Sequence, residues 1–259
     1  MDESNLLLEA VSELARLAGQ KAQSYFGRSP AMELKTDGSP VTEADRAAES
    51  IARAWIETRF PFDGIIGEEF GEVRPGARKR WIIDPIDGTK SFIHGVPFWG
   101  TLVAVCDEER VLAGAAYFPA LDEMVAASIG AGAWWNGSRC RVSSVSSVSE
   151  SLVLTTDWRF TATPGRRESW ERLATAARIG RTWGDCYGYL LVATGRAEVM
   201  VDPVMAAWDA AAVLPVITEA GGVFTDWAGR ETAFGRSAIA TNAGVAVEAR
   251  GLLGIEGAS

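Results

Sequence analysis

The stretch Trp81-Ile82-Ile83-Asp84-Pro85-Ile86-Asp87-Gly88-Thr89 constrains this chain more than any other. Its consecutive large apolar residues read as a short strand buried between layers, and the strand ends at an acid. Asp84 sits at the strand tip. Pro85 fixes its own φ and lacks an N–H, which predicts that the sheet pairing stops there. Asp87 and the Ile86 carbonyl then fall on a turn. Gly88 and Thr89 open a short helix through Phe92, whose first N–H groups have no partner within the helix. Two carboxylates beside the positive end of a helix suit a divalent cation and a phosphate held together. The competing reading is a polar turn in which Asp87 caps the helix.

The surrounding pattern predicts mixed helices and strands. Leu7, Val11, Leu14, Ala18, Ala22 and Tyr25 mark an amphipathic helix opened by Asp2 or Ser4 and closed by Gly27. A second helix follows Thr42 and stops at Phe60-Pro61. Gly64-Ile65-Ile66-Gly67 reads as a strand, and 98–106 with 111–117 as a hairpin across Asp107-Glu108-Glu109-Arg110. Strands continue at 124–128 and 133–135 before the Asn136-Gly137 turn. The serine-rich run 143–151 is the best candidate junction, dividing the chain into halves 1–142 and 143–259. Beyond it come strands at 152–155, 179, 199–201, 223–224 and 238–240. Helices are expected at 170–177 and 189–194, and at 208–220 with a kink at Pro215.

Composition removes several function classes. With 25 Lys and Arg against 34 Asp and Glu the net charge is −9, which argues against a nucleic-acid partner. One histidine cannot build a multi-histidine zinc site, and any Ser-His-Asp triad would depend on His94. Cys106, Cys140 and Cys186 contain no CxxC, which fits a reducing, cytoplasmic setting. No C-x₅-R, D-x-D or P-loop sequence supports a cysteine phosphatase, an aspartyl-phosphate enzyme or a nucleotide hydrolase. No signal peptide or membrane span is expected.

Three further acidic sites share the placement of Asp84 and Asp87 at strand ends or helix starts. These are Glu68 in Gly67-Glu68-Glu69, Asp209 in Trp208-Asp209-Ala210-Ala211, and Asp45 in Val41-Thr42-Glu43-Ala44-Asp45. Singly, each has a plain explanation as a solvated acid or a helix cap. Together, Glu68, Asp84, Asp87 and Asp209 are hard oxygen donors of the kind Mg²⁺ requires.

The chain resembles the inositol monophosphatase family of metal-dependent phosphatases. The resemblance rests on Lys35, Val41 to Asp45, Ile66-Gly67-Glu68-Glu69, Asp84-Pro85-Ile86-Asp87-Gly88-Thr89, and Trp208 to Ala211 with Glu219 to Gly222. Lys90-Ser91-Phe92 departs from the family's usual residues. The resemblance implies a layered αβαβα sandwich, mixed α and β, acting as a homodimer on a small phosphate ester with two or three Mg²⁺ ions. It implies that Glu68, Asp84 and the Ile86 carbonyl hold one ion, and that Asp84, Asp87 and Asp209 hold a second. Gly88 and Thr89 would bind phosphate, while Glu68 and Thr89 position the attacking water, with Asp45 supporting Thr89 or a third ion. Such chemistry needs no histidine base, so His94 is expected to be structural or exposed. A non-catalytic binding protein on the same scaffold would be expected to lack one of these acids.

Arg181-Thr182-Trp183-Gly184-Asp185-Cys186-Tyr187-Gly188-Tyr189 resembles the histidinol-phosphate phosphatase branch. An extra carboxylate at Asp185 suits a cationic leaving alcohol such as histidinol better than a neutral polyol. Asp202 is a second candidate for the amine, Gly184 and Arg181 are candidate substrate contacts, and Trp183 is a possible wall for an imidazole. The plainer readings are a helix cap for Asp185, an Asp-Pro turn for Asp202, a solvated Arg181 and a core-packed Trp183. The resulting expectation is hydrolysis of L-histidinol phosphate in histidine biosynthesis; the alternative is an inositol or small sugar phosphatase with the same metal chemistry.

Overall fold

A computed structural model describes residues 2–28, 32–34, 40–160 and 163–255. Lys35 lies outside them. Helix α1 (Glu3–Gln23) buries Leu7, Val11, Leu14, Ala18 and Ala22 along one stripe. Strands β1 (Met32–Leu34) and β2 (Pro40–Thr42) form a small antiparallel ribbon. Helix α2 (Glu43–Arg59) starts at a capping box: Thr42 Oγ1 accepts from Ala44 N, and Asp45 Oδ2 accepts from Thr42 N. It ends before Pro61.

Next come β3 (Gly64–Gly67), β4 (Gly71–Val73), β5 (Lys79–Asp87), α3 (Thr89–Ile93), β6 (Gly100–Asp107), β7 (Arg110–Phe118), β8 (Glu123–Ser128), β9 (Gly132–Trp135) and β10 (Ser138–Arg139). Their strands build one sheet in the order β10-β9-β8-β7-β6-β5-β3-β4, in which only β3 and β5 pair in parallel. The second half contributes β11 (Leu152–Thr155), α4 (Pro164–Ala176), β12 (Ile179–Arg181), α5 (Asp185–Ala193), β13 (Val199–Asp202), α6 (Ala207–Ala211), α7 (Val213–Glu219), β14 (Gly222–Thr225), β15 (Ala238–Asn242) and α8 (Ala246–Leu253). Its sheet has the order β12-β11-β13-β15-β14.

Side-chain alternation stacks these elements into five layers. Trp81, Ile83, Val103 and Val105 pack with α1 and α2 on one face of the large sheet. Ile82, Leu102 and Ala104 point the other way, into a core shared with α5, α6, α7 and the inner face of the small sheet. Val153, Val199, Val201 and Ile239 on its outer face pack under α4 and α8. The expected αβαβα sandwich is the observed fold. No helix among the described residues is long and apolar enough to cross a membrane.

Three expectations change. Sheet pairing does not stop at Pro85: β5 runs to Asp87 by inserting a β-bulge between Asp84 and Asp87, where a strand proline is tolerated. The helix expected over 208–220 is two helices broken at Ala212 rather than one kinked helix. Pro215 then lies in the first turn of α7, where a missing N–H leaves no bond unmade. Gly114 of β7 packs under the break, and a Cβ there would stand 2.2 Å from Ala212 O. Finally, α4 begins at Pro164 and α5 at Asp185, both earlier than their apolar periodicity indicated.

The serine-rich run is tied down. Asn242 Nδ2 donates to Ser143 O and Val145 O, and Glu198 accepts from Ser143 Oγ and Leu152 N.

Candidate active site

The bulge in β5 creates the site. In a regular strand Asp84 and Asp87, three residues apart, would point to opposite faces. Ile83 and Ile86 both pack with α1 and α2, so the extra residue turns Asp84 and Asp87 toward the same inner side. Local bonds hold this shape. Thr101 Oγ1 donates to Pro85 O at 2.7 Å, Ile86 N donates to Asp84 Oδ1 at 3.0 Å, and Thr89 Oγ1 donates to Ile86 O at 3.0 Å. Gly88 adopts φ +82°, a conformation that favours glycine, and starts α3.

Asp209 arrives from the second half. It lies in the first turn of α6, and its Oδ2 accepts from Ala206 N at 2.8 Å. Asp209 therefore caps the start of α6, and the same carboxylate stands beside Asp84 and Asp87. Carboxylate oxygens of Asp84, Asp87 and Asp209 lie within 4.8 Å of one another. Burial, then the charges of Glu68, Asp87 and Asp209, pushes the Asp84 carboxyl well above the usual carboxylate range. Burial and Asp185 do the same to Asp87, against the opposing bond from Cys186 N. Asp209 is pushed up to about 6, mainly by burial. Among the described residues, none of the three pairs with a Lys or Arg. A cluster of hard, mutually repelling oxygen donors, buried at Asp84 and half-buried at Asp87 and Asp209, fits a divalent cation.

Glu68 follows β3, and its backbone N–H donates to Ile83 O at 3.2 Å. Its carboxyl comes within hydrogen-bonding reach of Asp84 and raises both Asp45 and Asp209. The loop that carries it is fastened by a residue the sequence analysis missed. Glu49 on α2 is buried, accepts from Glu69 N at 2.7 Å and Phe70 N at 3.1 Å, and pairs with Arg53 at 2.7 Å. The available signal was its spacing, one helical step of four residues from Asp45 and another before Arg53. Asp45 is also buried. Its Oδ2 takes both Thr42 donors, while Oδ1 has no hydrogen-bond partner among the described residues. Burial, partly offset by Thr42, raises its pKa. Thr89 donates to Ile86 O and not to Asp45.

Beside the cluster a cavity of 90 Å³ is lined by Asp87, Thr156, Asp185, Cys186, Asp202, Val204, Met205 and Asp209. A second of 230 Å³ shares Thr156, Asp202 and Val204 with it and adds Lys90 and Asp157. Asp185 does not cap a helix: Gly184 is the N-cap, and Asp185 is the first helical residue at φ +49°. Burial pushes it up to about 6 against the charge of Lys90. Asp202 is pushed up to about 7 by burial, although Thr156 N and Tyr189 OH donate to its two oxygens. Gly184 packs against Thr156, leaving no room for a Cβ.

Other expected residues lie elsewhere. Arg181 is exposed, lines neither cavity and donates to its neighbour Gly180 O. Trp183 is 43% exposed and so is not core. His94 is exposed, with Nδ1 2.8 Å from Lys90 O. A larger cleft of 880 Å³, lined by Glu109, Arg110 and α7 residues, opens at the opposite end of β6 from Gly100.

The model of the inositol monophosphatase family matches residues 3–253. The chain belongs to this family. A histidinol-phosphatase from Chlorobaculum parvum is 47% identical over 226 residues, covering 87% of each chain. Another from Mycobacterium tuberculosis is 39% identical over 251 residues, 93% of this chain and 95% of that one. Among solved structures, an inositol monophosphatase from Zymomonas mobilis superimposes with a TM-score of 0.88 at 30% identity, covering 98% of this chain and 100% of its own. The fold shared with the Zymomonas mobilis and Thermotoga maritima enzymes extends over nearly the whole chain.

Proposed function

We propose that this chain is a Mg²⁺-dependent phosphomonoesterase that hydrolyses L-histidinol phosphate to L-histidinol and inorganic phosphate. The observation that carries the reading is the convergence of Asp84, Asp87 and Asp209 within 4.8 Å, next to a cavity lined by two further acids, Asp185 and Asp202. Glu68, Asp84, Asp87, Asp209 and the Ile86 carbonyl would hold two or three ions. Bound there, Mg²⁺ supplies positive charge for the phosphoryl oxygens, acidifies water and offsets charge on the departing oxygen.

The chain's own groups do the rest. Orphan N–H groups at Gly88 and Thr89 face the phosphate. Thr89 commits its proton to Ile86 O, so its Oγ1 offers lone pairs and accepts from the attacking water. Glu68 takes the proton that water loses as its oxygen bonds to phosphorus; the P–O ester bond breaks toward the departing oxygen, which keeps the bonding pair and takes a proton from solvent water. Asp45, with Oδ1 unpartnered, supports this side of the site. Asp185 and Asp202 receive the leaving group's ammonium and imidazole in the adjoining cavities through charge-assisted hydrogen bonds. An inositol 1-phosphatase is the weaker reading: the inositol-1-monophosphatase from Rhizobium meliloti is 33% identical, against 47% for the histidinol-phosphatase from Chlorobaculum parvum. We also place the chain in the cytoplasm as a homodimer, with its halves meeting near residues 142 and 143.

Phosphate release with Mg²⁺ from L-histidinol phosphate, inositol 1-phosphate and a sugar phosphate tests the reading. A large preference for histidinol phosphate, reduced in Asp185→Ala, is expected. Equal or faster cleavage of inositol 1-phosphate refutes the substrate assignment. Full activity of Asp84→Asn at ordinary Mg²⁺ dependence refutes the metal assignment.

A further inference from the structure

Thr156, the residue after β11, is absent from every motif in the sequence, yet it sits where the leaving-group cavities are assembled. It lines both. Its Oγ1 accepts from Asp185 N at 2.9 Å, and its own N–H donates to Asp202 Oδ1 at 3.2 Å. Its Cα stands 2.3 Å from where a Cβ on Gly184 would be, so the chain before α5 is pressed against it.

These contacts explain an oddity of the site. Asp185 takes φ +49°, an unfavourable conformation for a residue with a Cβ, although it begins a helix that a right-handed residue would begin more easily. The bond from its N–H to Thr156 Oγ1 holds that conformation. The carboxylate in turn lies over the phosphate-binding turn, with Oδ2 3.1 Å from where a Cβ on Gly88 would be. From this geometry we infer that Thr156 is a positioning residue for substrate selectivity: its hydroxyl fixes Asp185, and its N–H fixes Asp202, as one cation-binding pair. The inference rests on the reading that Asp185 contacts the leaving group.

The test compares Thr156→Val, which keeps the shape and removes the acceptor, with Thr156→Ser, which keeps the acceptor. The readout is the ratio of kcat/KM for L-histidinol phosphate to that for inositol 1-phosphate, with Mg²⁺ half-saturation measured alongside. Thr156→Val is expected to lower the ratio roughly tenfold, mainly through KM, as fits loss of one oriented hydrogen bond. Thr156→Ser is expected to stay within about twofold of wild type. A crystal structure of Thr156→Val is expected to show Asp185 leaving the left-handed region. A wild-type ratio in Thr156→Val, an equal loss in Thr156→Ser, or an unchanged Asp185 conformation overturns the inference. If Asp185→Ala also leaves the ratio unchanged, the substrate reading has failed. If Asp185→Ala lowers it and Thr156→Val does not, only the role of Thr156 has failed.

Discussion

Replacing Glu49 with alanine removes a buried carboxylate that holds the segment carrying Glu68. Three donors converge on it: Glu69 N at 2.7 Å, Phe70 N at 3.1 Å and Arg53 Nε at 2.7 Å. Arg53 is only 12% exposed and Glu49 not at all, so water does not readily replace the lost acceptor. Breaking a buried pair by deleting one partner costs about 3–5 kcal/mol. Arg53 keeps its bond to Gly71 O, which places the expected loss at the lower end, about 3 kcal/mol. For a chain of this size that lowers Tm by roughly 6–12 °C. Glu49→Gln keeps the shape and one acceptor oxygen, so about 1–2 kcal/mol is expected. Freeing the segment also loosens Glu68, so the Mg²⁺ concentration for half-maximal phosphate release should rise severalfold in Glu49→Ala. Urea and thermal unfolding in EDTA, with a Mg²⁺ titration of activity, measure both effects. A wild-type Tm in Glu49→Ala refutes the energetic argument, and an unchanged Mg²⁺ requirement refutes the link from Glu49 to Glu68.

Removing the metal should expose the strain in the acidic cluster. Burial pushes Asp209 and Asp185 up to about 6 and Asp202 up to about 7 in the fold, against 3.8 for an ordinary aspartate, so these three groups hold more protons folded than unfolded across that interval. Stability in EDTA is therefore expected to fall as pH rises from about 4 to about 7, and Mg²⁺ should flatten the slope. A flat Tm across that interval in EDTA contradicts the charge clustering. Gly114→Ala should destabilise by about 1–3 kcal/mol, because its Cβ would meet Ala212 O, a backbone atom. Since that break between α6 and α7 lies three residues after Asp209, Mg²⁺ affinity should fall with it; a wild-type Mg²⁺ titration would show that the break does not position Asp209. Tyr189→Phe removes one buried donor to Asp202 and should lower stability by about 1–2 kcal/mol, read from urea unfolding.

Periodicity made α1, α2 and most strands legible, because those elements bury a regular stripe or alternate between two layers. Their faces could be assigned from residue spacing alone. The acids were legible as residue types placed at strand ends and helix starts, and the resemblance carried by Asp84 to Thr89 and Trp208 to Ala211 gave them an order. Spacing could not show that β5 continues past Pro85. A bulge depends on what the neighbouring strand offers, here Thr101 donating to Pro85 O. The same holds for α6 and α7, whose break is met by Gly114 from a strand nearly a hundred residues earlier.

Local chemistry in the chain thus decided which side chains could hold a cation and which segments were strands or helices. Only the packed fold decided which of them meet. Asp87 and Asp209 come from different halves, Glu49 reaches Glu69 and Phe70 across a helix and a loop, and Thr156 meets Asp185 over 29 residues of chain. Arg181, the last residue of β12, and Trp183, in the link between β12 and α5, share a motif with Asp185 yet are exposed and line neither cavity. Helical and strand preferences act over a few residues, whereas the position of a carboxylate in a cluster depends on every layer packed around it.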